Sequence, residues 1–214
     1  MTRFKICGLR DPANAQVAVE SGANFIGMVF VPGVRREITP ERALEIVAAV
    51  RAKPGSKGPR LVGLFANQPL DDVNNIVRRC GLDMVQLCGD EPPEYWARVE
   101  ADVIKQIKVR DDSLGDTLAS VKTVVEAGHT AMLDKYEKGA LGGTGLTFDW
   151  DIAREVAERF PIMLAGGLTP DNVARAIAKV SPWGVDVSSG VENDGDKDPI
   201  KIRGFASEVA RADG

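Results

Sequence analysis

The sequence is poor in histidine and cysteine, and each shortage excludes a class of chemistry. His129 is the only histidine among 214 residues and precedes a predicted strand, so a histidine-based triad or zinc site is not expected. The three cysteines, Cys7, Cys80 and Cys88, are odd in number and lack C-x-x-C spacing. Free thiols in a reducing cytoplasm are therefore expected.

An excess of one charge and long apolar runs are also absent. The 27 Lys and Arg residues against 31 Asp and Glu leave a net charge of −4, which gives no general attraction to nucleic acid or anionic membrane. No run of about 18 apolar residues could span a bilayer, and the first residues lack the apolar segment of a signal peptide. We expect a cytoplasmic protein that binds any anion at a local site.

Short apolar runs alternate with amphipathic stretches along the whole chain, which predicts an α/β protein with a single domain over residues 1–214. The predicted strands lie near 3–7, 24–30, 60–65, 83–88, 102–109, 130–134, 161–165 and 184–188. The predicted helices lie near 12–22, 40–52, 70–80, 92–100, 113–127, 150–159, 170–179 and 198–211. Asp11, Thr39 and Thr169 are plausible N-caps, each followed by a proline.

Eight consecutive βα units favour a closed (β/α)8 barrel, the TIM barrel, although an open doubly wound sheet would show the same alternation. In a barrel, the reactive residues belong at the C-terminal ends of the strands and in the loops that follow them. The unusual residues of this chain occur at those positions.

Two reactive side chains end predicted strands. Alternation places Lys5 and Cys7 on the inner face of the first strand and Ile6 on the outer face. Asp134 ends the sixth strand on the same face as Met132. Cys7 could instead be a small buried hydrophobe, and Asp134 a helix cap, a salt-bridge partner or a proton donor whose pKa burial raises.

The loops after the seventh and eighth strands are suited to a phosphate group. Glycines allow backbone N–H groups to approach an anion closely, and serine hydroxyls add donors. These loops carry Gly166 and Gly167, then Ser188, Ser189 and Gly190; the alternative is that the glycines only form turns. The glycine-rich segment 135–147 could be a lid or an insertion without a role. The segment 31–37 offers Arg35 and Arg36 to a carboxylate, unless these are ordinary surface residues.

Over essentially its whole length the chain resembles the phosphoribosylanthranilate isomerases. The resemblance is carried, in order and spacing, by Lys5-Ile6-Cys7-Gly8-Leu9, Val85-Gln86-Leu87, Leu133-Asp134, Gly142-Gly143-Thr144-Gly145, Thr147-Phe148-Asp149-Trp150, Leu164-Ala165-Gly166-Gly167-Leu168 and Gly184-Val185-Asp186-Val187-Ser188-Ser189-Gly190-Val191-Glu192.

The resemblance implies an Amadori rearrangement of the small molecule N-(5'-phosphoribosyl)anthranilate, without a metal or a cofactor, by a monomer or a homodimer. It implies that Asp134 is the general acid and Cys7 the general base. It further implies that Arg36 binds the anthranilate carboxylate and Asp186 orients the substrate. The phosphate would contact Gly166, Gly167, Ser188, Ser189 and Gly190, with Gly143 and Gly145 contributing from the lid.

The chain departs from the family at three places. Val34-Arg35-Arg36-Glu37 stands where Ser-Pro-Arg-Tyr is common, which leaves Arg35 as an alternative to Arg36. Cys88 replaces a common histidine, and Leu146 a frequent lysine. The rival interpretations are another sugar-phosphate barrel enzyme, either the histidine-pathway isomerase or indoleglycerol phosphate synthase, and a non-catalytic phosphate-binding barrel. Cys7 at the end of the first strand argues against both rival enzymes, and a non-catalytic protein would not need both Cys7 and Asp134.

Overall fold

The computed structural model describes residues 1–51, 58–110, 114–135 and 149–214. Eight parallel strands form a closed barrel, in which β1 hydrogen-bonds to both β2 and β8. The strands are β1 Arg3–Ile6, β2 Phe25–Val29, β3 Arg60–Phe65, β4 Met84–Leu87, β5 Asp102–Val109, β6 Thr130–Lys135, β7 Ile162–Leu164 and β8 Gly184–Val187. The predicted barrel is confirmed, and the closing β1–β8 pair rules out the open sheet.

Eight helices alternate with these strands. They are α1 Pro12–Glu20, α2 Pro40–Arg51, α3 Leu70–Cys80, α4 Pro93–Trp96, α5 Leu114–Glu126, α6 Trp150–Ala157, α7 Val173–Val180 and α8 Pro199–Ala212. Asp11 caps α1 as predicted, because its side chain accepts a hydrogen bond from the Asn14 amide. Thr39 Oγ1 likewise accepts from the Arg42 amide at 3.3 Å. No helix within the described ranges is long and apolar enough to cross a membrane.

Two helices depart most from their predicted bounds, and an asparagine explains each case. The helix predicted over 92–100 has a single turn, since Asn74 donates to the Arg98 carbonyl and accepts from the Glu100 amide, both at 3.0 Å. The predicted cap at Thr169 is wrong, because α7 begins only at Val173. Asn172 accepts from the Thr169 amide and donates to the Gly167 carbonyl, so its side chain holds this segment as a turn.

Strand alternation divides the apolar residues into two layers. Ile6 belongs to the layer between the strands and the helices, whereas Cys7 and Met132 lie in a smaller cluster inside the barrel. The predicted orientation of β1 and β6 is therefore confirmed. Cys7 follows the last residue of β1 but keeps the barrel register, since its amide donates to the Val187 carbonyl at 2.8 Å.

A short hairpin follows β8 that the sequence analysis did not predict. A 3-10 turn at Ser189–Val191 leads into β9 Glu192–Asn193, which pairs antiparallel with β10 Asp196–Lys197. The connection is the dipeptide Asp194-Gly195, with φ values of 49° and 89°. Two consecutive positive φ angles are characteristic of a type I′ turn, for which Asp-Gly is a favoured sequence. The hairpin places Glu192 and Lys197 beside the C-terminal end of the barrel.

Candidate active site

An open cavity lies at the C-terminal ends of the strands, with a volume of about 820 Å³ counted out to its mouth. The predicted residues that line it are Cys7, Asp134, Asp186, Arg35, Arg36, Gly166, Gly167, Ser188 and Ser189. Gly190 is not among its lining residues. Gly143 and Gly145, in the predicted lid, lie outside the described residues.

Cys7 shares the barrel interior with a buried ion pair. Lys5 is fully buried, and its Nζ donates to Asp186 Oδ1 at 2.8 Å across the β1–β8 pair. A Cβ on Gly27 of β2 would lie 3.0 Å from the Cys7 Cα and 3.1 Å from the Lys5 Nζ. The glycine therefore provides the space that these two residues occupy.

The thiol of Cys7 is harder to ionise than an exposed thiol. Burial raises the pKa of Cys7, and Asp186 adds to this effect, while Lys5 and Lys197 oppose it. The positive charge of Lys5 favours the thiolate, but burial outweighs this effect. Burial opposes the charge of Lys5 itself, yet the attraction of Asp186 and Cys7 raises the pKa of Lys5. Lys5 thus remains a cation beside a thiol that is mostly protonated near neutral pH.

Asp134 is buried in β6, in another part of the barrel wall, and accepts hydrogen bonds from a neighbouring side chain and a backbone amide. Gln106 Nε2 donates to Asp134 Oδ2 at 2.5 Å, and the Lys135 backbone amide donates to Oδ1 at 2.8 Å. The Gln106 Oε1 atom is buried and has no hydrogen-bond partner among the described residues. A half-turn of this amide would bring an acceptor to Asp134 in its protonated form.

Burial raises the pKa of Asp134 from 3.8 to about 6, and Asp186 adds to this effect. The hydrogen bonds from Lys135 and Gln106 and the charge of Lys108 act in the opposite direction. The expected shift by desolvation is confirmed. A carboxyl group with this pKa retains a protonated fraction near neutral pH, as a general acid requires.

The loops after β7 and β8 form the third part of the cavity. Gly166 and Gly167 have φ values of 86° and 65°, a conformation that side chains disfavour. The Asn172 amide holds this loop through the Gly167 carbonyl at 2.9 Å. A Cβ on Gly190 would lie 1.9 Å from the Leu168 carbonyl oxygen, so Gly190 is the residue at which the two loops touch.

The two arginines of the β2 loop meet one carboxylate of the hairpin. Arg36 donates to Glu192 through Nε at 2.7 Å and through Nη2 at 2.9 Å, and Arg35 Nη2 lies 2.6 Å from Glu192 Oε2. The side chain of Arg36 is 15% exposed and that of Arg35 55%. A Cβ on Gly8 would lie 2.6 Å from Arg36 Cδ, so this glycine leaves room for the more buried arginine.

The cavity combines a carboxyl group, a thiol, a cationic cluster and a pair of loops rich in backbone donors. This arrangement can transfer protons to and from a ligand that carries two anionic groups. Sequence reasoning assigned no role to Glu192, Lys197, Gln106 or Asn172. The Asp-Gly turn signal at residues 194–195 could have revealed the hairpin that carries the first two. The sequence has no comparable signal for Gln106.

Comparison with known proteins gives a single family. The sequence profile described as "N-(5'phosphoribosyl)anthranilate (PRA) isomerase" matches residues 4–208. The N-(5'-phosphoribosyl)anthranilate isomerase of Geotalea uraniireducens is 49% identical over 218 residues, which cover 100% of both chains. That of Dehalococcoides mccartyi is 44% identical over 221 residues, covering 100% of this chain and 98% of the relative.

Solved structures give the same result. A phosphoribosyl anthranilate isomerase from Thermotoga maritima superposes with a TM-score of 0.86 at 33% identity, covering 99% of this chain and 100% of the other. A second phosphoribosyl anthranilate isomerase, solved with reduced 1-(o-carboxyphenylamino)-1-deoxyribulose 5-phosphate, has a TM-score of 0.82 at 32% identity and the same coverage.

Proposed function

The chain belongs to the N-(5'-phosphoribosyl)anthranilate isomerase family, and from this premise we propose which of its residues perform the reaction. The protein is an aldose–ketose isomerase of tryptophan biosynthesis that converts N-(5'-phosphoribosyl)anthranilate into 1-(2-carboxyphenylamino)-1-deoxyribulose 5-phosphate. We propose that Asp134 is its general acid and Cys7 its general base.

In the first step the protonated carboxyl of Asp134 donates its proton to the oxygen of the furanose ring. The bond between this oxygen and C1 breaks as the nitrogen lone pair forms a C=N bond, which leaves an iminium ion. The raised pKa of Asp134 supports this role, because an ordinary aspartic acid would be almost entirely ionised at neutral pH. Of the two proton carriers, Gln106 contacts only Asp134. Its hydrogen bond orients the Asp134 carboxyl group.

In the second step the Cys7 thiolate removes the proton from C2. The electrons of the C2–H bond form a C1=C2 double bond and neutralise the iminium. The resulting enolamine tautomerises to the ketone when C1 gains a proton and the hydroxyl group on C2 loses one. Lys5 supplies positive charge next to the thiolate, although burial makes the thiolate a minor form. Because the C2 proton is acidified by the adjacent iminium, a small population of thiolate is sufficient.

Substrate binding would use the two anionic groups of the substrate. We assign the phosphate to the donors of Gly166, Gly167, Ser188, Ser189 and Gly190, which follow β7 and β8. Gly143 and Gly145 would add donors from the segment 136–148. The anthranilate carboxylate is assigned to Arg36, the more buried of the two arginines, and Asp186 would orient the sugar from β8.

The observation that carries the proposal is that Cys7 and Asp134 line one cavity together with Arg36 and the loops that follow β7 and β8. The test is a fluorescence assay that follows the loss of freshly made phosphoribosylanthranilate, with a chelator present and no cofactor added. Turnover under these conditions is expected, and its absence would overturn the assignment. We also propose that the enzyme is cytoplasmic and acts as a monomer or a homodimer; one solved relative is described as monomers generated from a dimeric enzyme.

A further inference from the structure

Glu192 holds Arg36 by one edge of its guanidinium group. The Nε and Nη2 atoms both donate to its two carboxylate oxygens, which is a bidentate, side-on contact. No other acceptor among the described residues bonds to the guanidinium of Arg36. The end-on edge, formed by Nη1 and Nη2, therefore retains donors for a second carboxylate.

Glu192 is itself fixed in place. Its side chain is 5% exposed, and Lys197 Nζ lies 2.6 Å from Oε1. Its backbone pairs with Lys197 in the hairpin, and Lys201 Nζ donates to its carbonyl at 2.8 Å. If Glu192 had to leave Arg36 each time a substrate molecule binds, it would not need its contacts with Lys197 and Lys201.

The charges around Glu192 favour a second anion. Arg35, Arg36 and Lys197 contribute three positive charges against the single negative charge of Glu192, so the cluster remains cationic. Burial opposes the charge of Glu192, but the hydrogen bond from Arg36 and the attraction of Lys197 lower its pKa to about 2. Glu192 is consequently ionised at neutral pH.

We propose that Glu192 is the positioning residue for carboxylate recognition. It holds Arg36 side-on, so that the end-on edge of the guanidinium meets the substrate carboxylate. This inference rests on the proposed role of Arg36. Selectivity for an aniline that carries a carboxylate is then a property of the Arg36–Glu192 pair and not of Arg36 alone.

The test compares two ligands that differ only in the carboxylate, the reduced product analogue and its phenyl counterpart without that group. Calorimetry gives the affinity ratio of the two ligands, here called the carboxylate preference. In Glu192→Gln the amide can accept only one of the two Arg36 bonds, so the carboxylate preference is expected to fall about tenfold or more. Binding of the phenyl ligand should change less than about threefold, and KM should rise more than kcat falls.

Three results would overturn the inference. An unchanged carboxylate preference would show that the orientation of Arg36 does not depend on Glu192. An increased preference would identify Glu192 as a competitor of the substrate. An equal loss of affinity for both ligands would mean that Glu192 only maintains the structure of the cavity.

Two further variants keep these outcomes distinct. Arg36→Lys tests the premise, because an unchanged carboxylate preference in that variant would reject Arg36 as the carboxylate site whatever Glu192 does. Glu91→Gln is the matched control, since Glu91 is also buried and paired with a lysine, Lys105 at 2.8 Å, and does not line the cavity. Its carboxylate preference should equal that of the wild type.

If Glu192→Gln fails to fold, Glu192→Asp takes its place. Aspartate retains the charge but is one methylene too short for both bonds to Arg36, so the same fall in carboxylate preference is expected.

Discussion

Gln106 donates its side-chain amide to Asp134 across 2.5 Å, between the adjacent strands β5 and β6. The donor stabilises the ionised carboxylate and so limits the rise in pKa that burial causes, which leaves the pKa of Asp134 at about 6. Lys108 acts in the same direction as Gln106, whereas Asp186 adds to the effect of burial. Gln106 is therefore one of the groups that determine how much of the acid is protonated at neutral pH.

The first prediction concerns the pH profile of Gln106→Leu. Asp134 must be protonated and Cys7 ionised, yet the pKa of the acid is the lower of the two. In the wild type kcat/KM should therefore rise with pH until about 6 and stay level until the pKa of Cys7 is reached. Loss of the Gln106 donor raises the pKa of Asp134, so the rise should continue to a higher pH before kcat/KM becomes level.

Gln86→Leu is the matched control for this profile. Gln86 lines the same cavity from β4, but its amide contacts Cys88 and not Asp134. Ionisation of the substrate contributes equally to all three profiles, so a difference between the profiles reflects ionisation of groups on the enzyme. If kcat/KM of Gln106→Leu becomes level at the same pH as in the wild type, Gln106 does not control the acid.

Replacement of Cys7 by serine should abolish most of the activity while binding is retained. The hydroxyl has nearly the same shape but is too weak an acid to supply an anionic base. A positioned base typically contributes about 10²–10⁴-fold, so kcat should fall by that order. Affinity for the reduced product analogue should stay within about tenfold. Cys88→Ser, which changes another thiol in the same cavity, should retain kcat within about tenfold.

Asp134→Asn should lower kcat by about 10²–10⁴-fold and yet stabilise the fold at alkaline pH. Folding raises the pKa of Asp134 from 3.8 to about 6, so the protonated form is favoured in the folded state. Its contribution to stability is complete below pH 3.8 and is lost as the pH rises through about 6. At pH 8 the buried charge then costs about 3 kcal/mol, which asparagine avoids.

Thermal unfolding at pH 8 and near pH 4.5 checks this trade-off, because the gain in Tm of Asp134→Asn should be larger at the higher pH. A variant that is less stable than the wild type at pH 8 would show that the ionised carboxylate is not strained by burial.

Gly167→Ala should weaken the binding of the phosphate group. At the positive φ of 65° a side chain costs about 1–2 kcal/mol, and relief of this strain should shift the backbone donors of the β7 loop. Gly128→Ala is the matched control, because Gly128 also has a positive φ, 82°, but a Cβ there would meet nothing within 4 Å. Only Gly167→Ala should reduce affinity for the product analogue. Equal affinities in the two variants would place the phosphate elsewhere.

The choice between Arg35 and Arg36 can be made with a pair of lysine variants. Lysine cannot reproduce the planar fork of a guanidinium, so Arg36→Lys should raise KM with a smaller effect on kcat. Arg35, whose side chain is 55% exposed, should tolerate the same change with little effect. The reverse result would reassign the carboxylate contact to Arg35.

The sequence by itself determined which residues could meet in the site. Parallel strands of a barrel present their C-terminal ends at one face, so Cys7 and Asp134 share a rim although they lie far apart in the chain. Alternation alone assigned Cys7 and Met132 to the interior and Ile6 to the helix layer, because the side-chain period of a strand is a local property. The cap at Asp11 was predictable for the same reason, since its contact with Asn14 spans three residues.

Only the tertiary structure decided the properties that depend on distant contacts. The Lys5–Asp186 pair joins residues 181 positions apart and lies on the β1–β8 contact that closes the barrel. Periodicity could not distinguish this barrel from an open sheet. Burial by the assembled core raises the pKa of Cys7 against the charge of Lys5, which no local pattern encodes. Glu192 reaches Arg36 across 156 positions. Local geometry can be read from neighbouring residues, whereas desolvation and ion pairing depend on what the fold brings together.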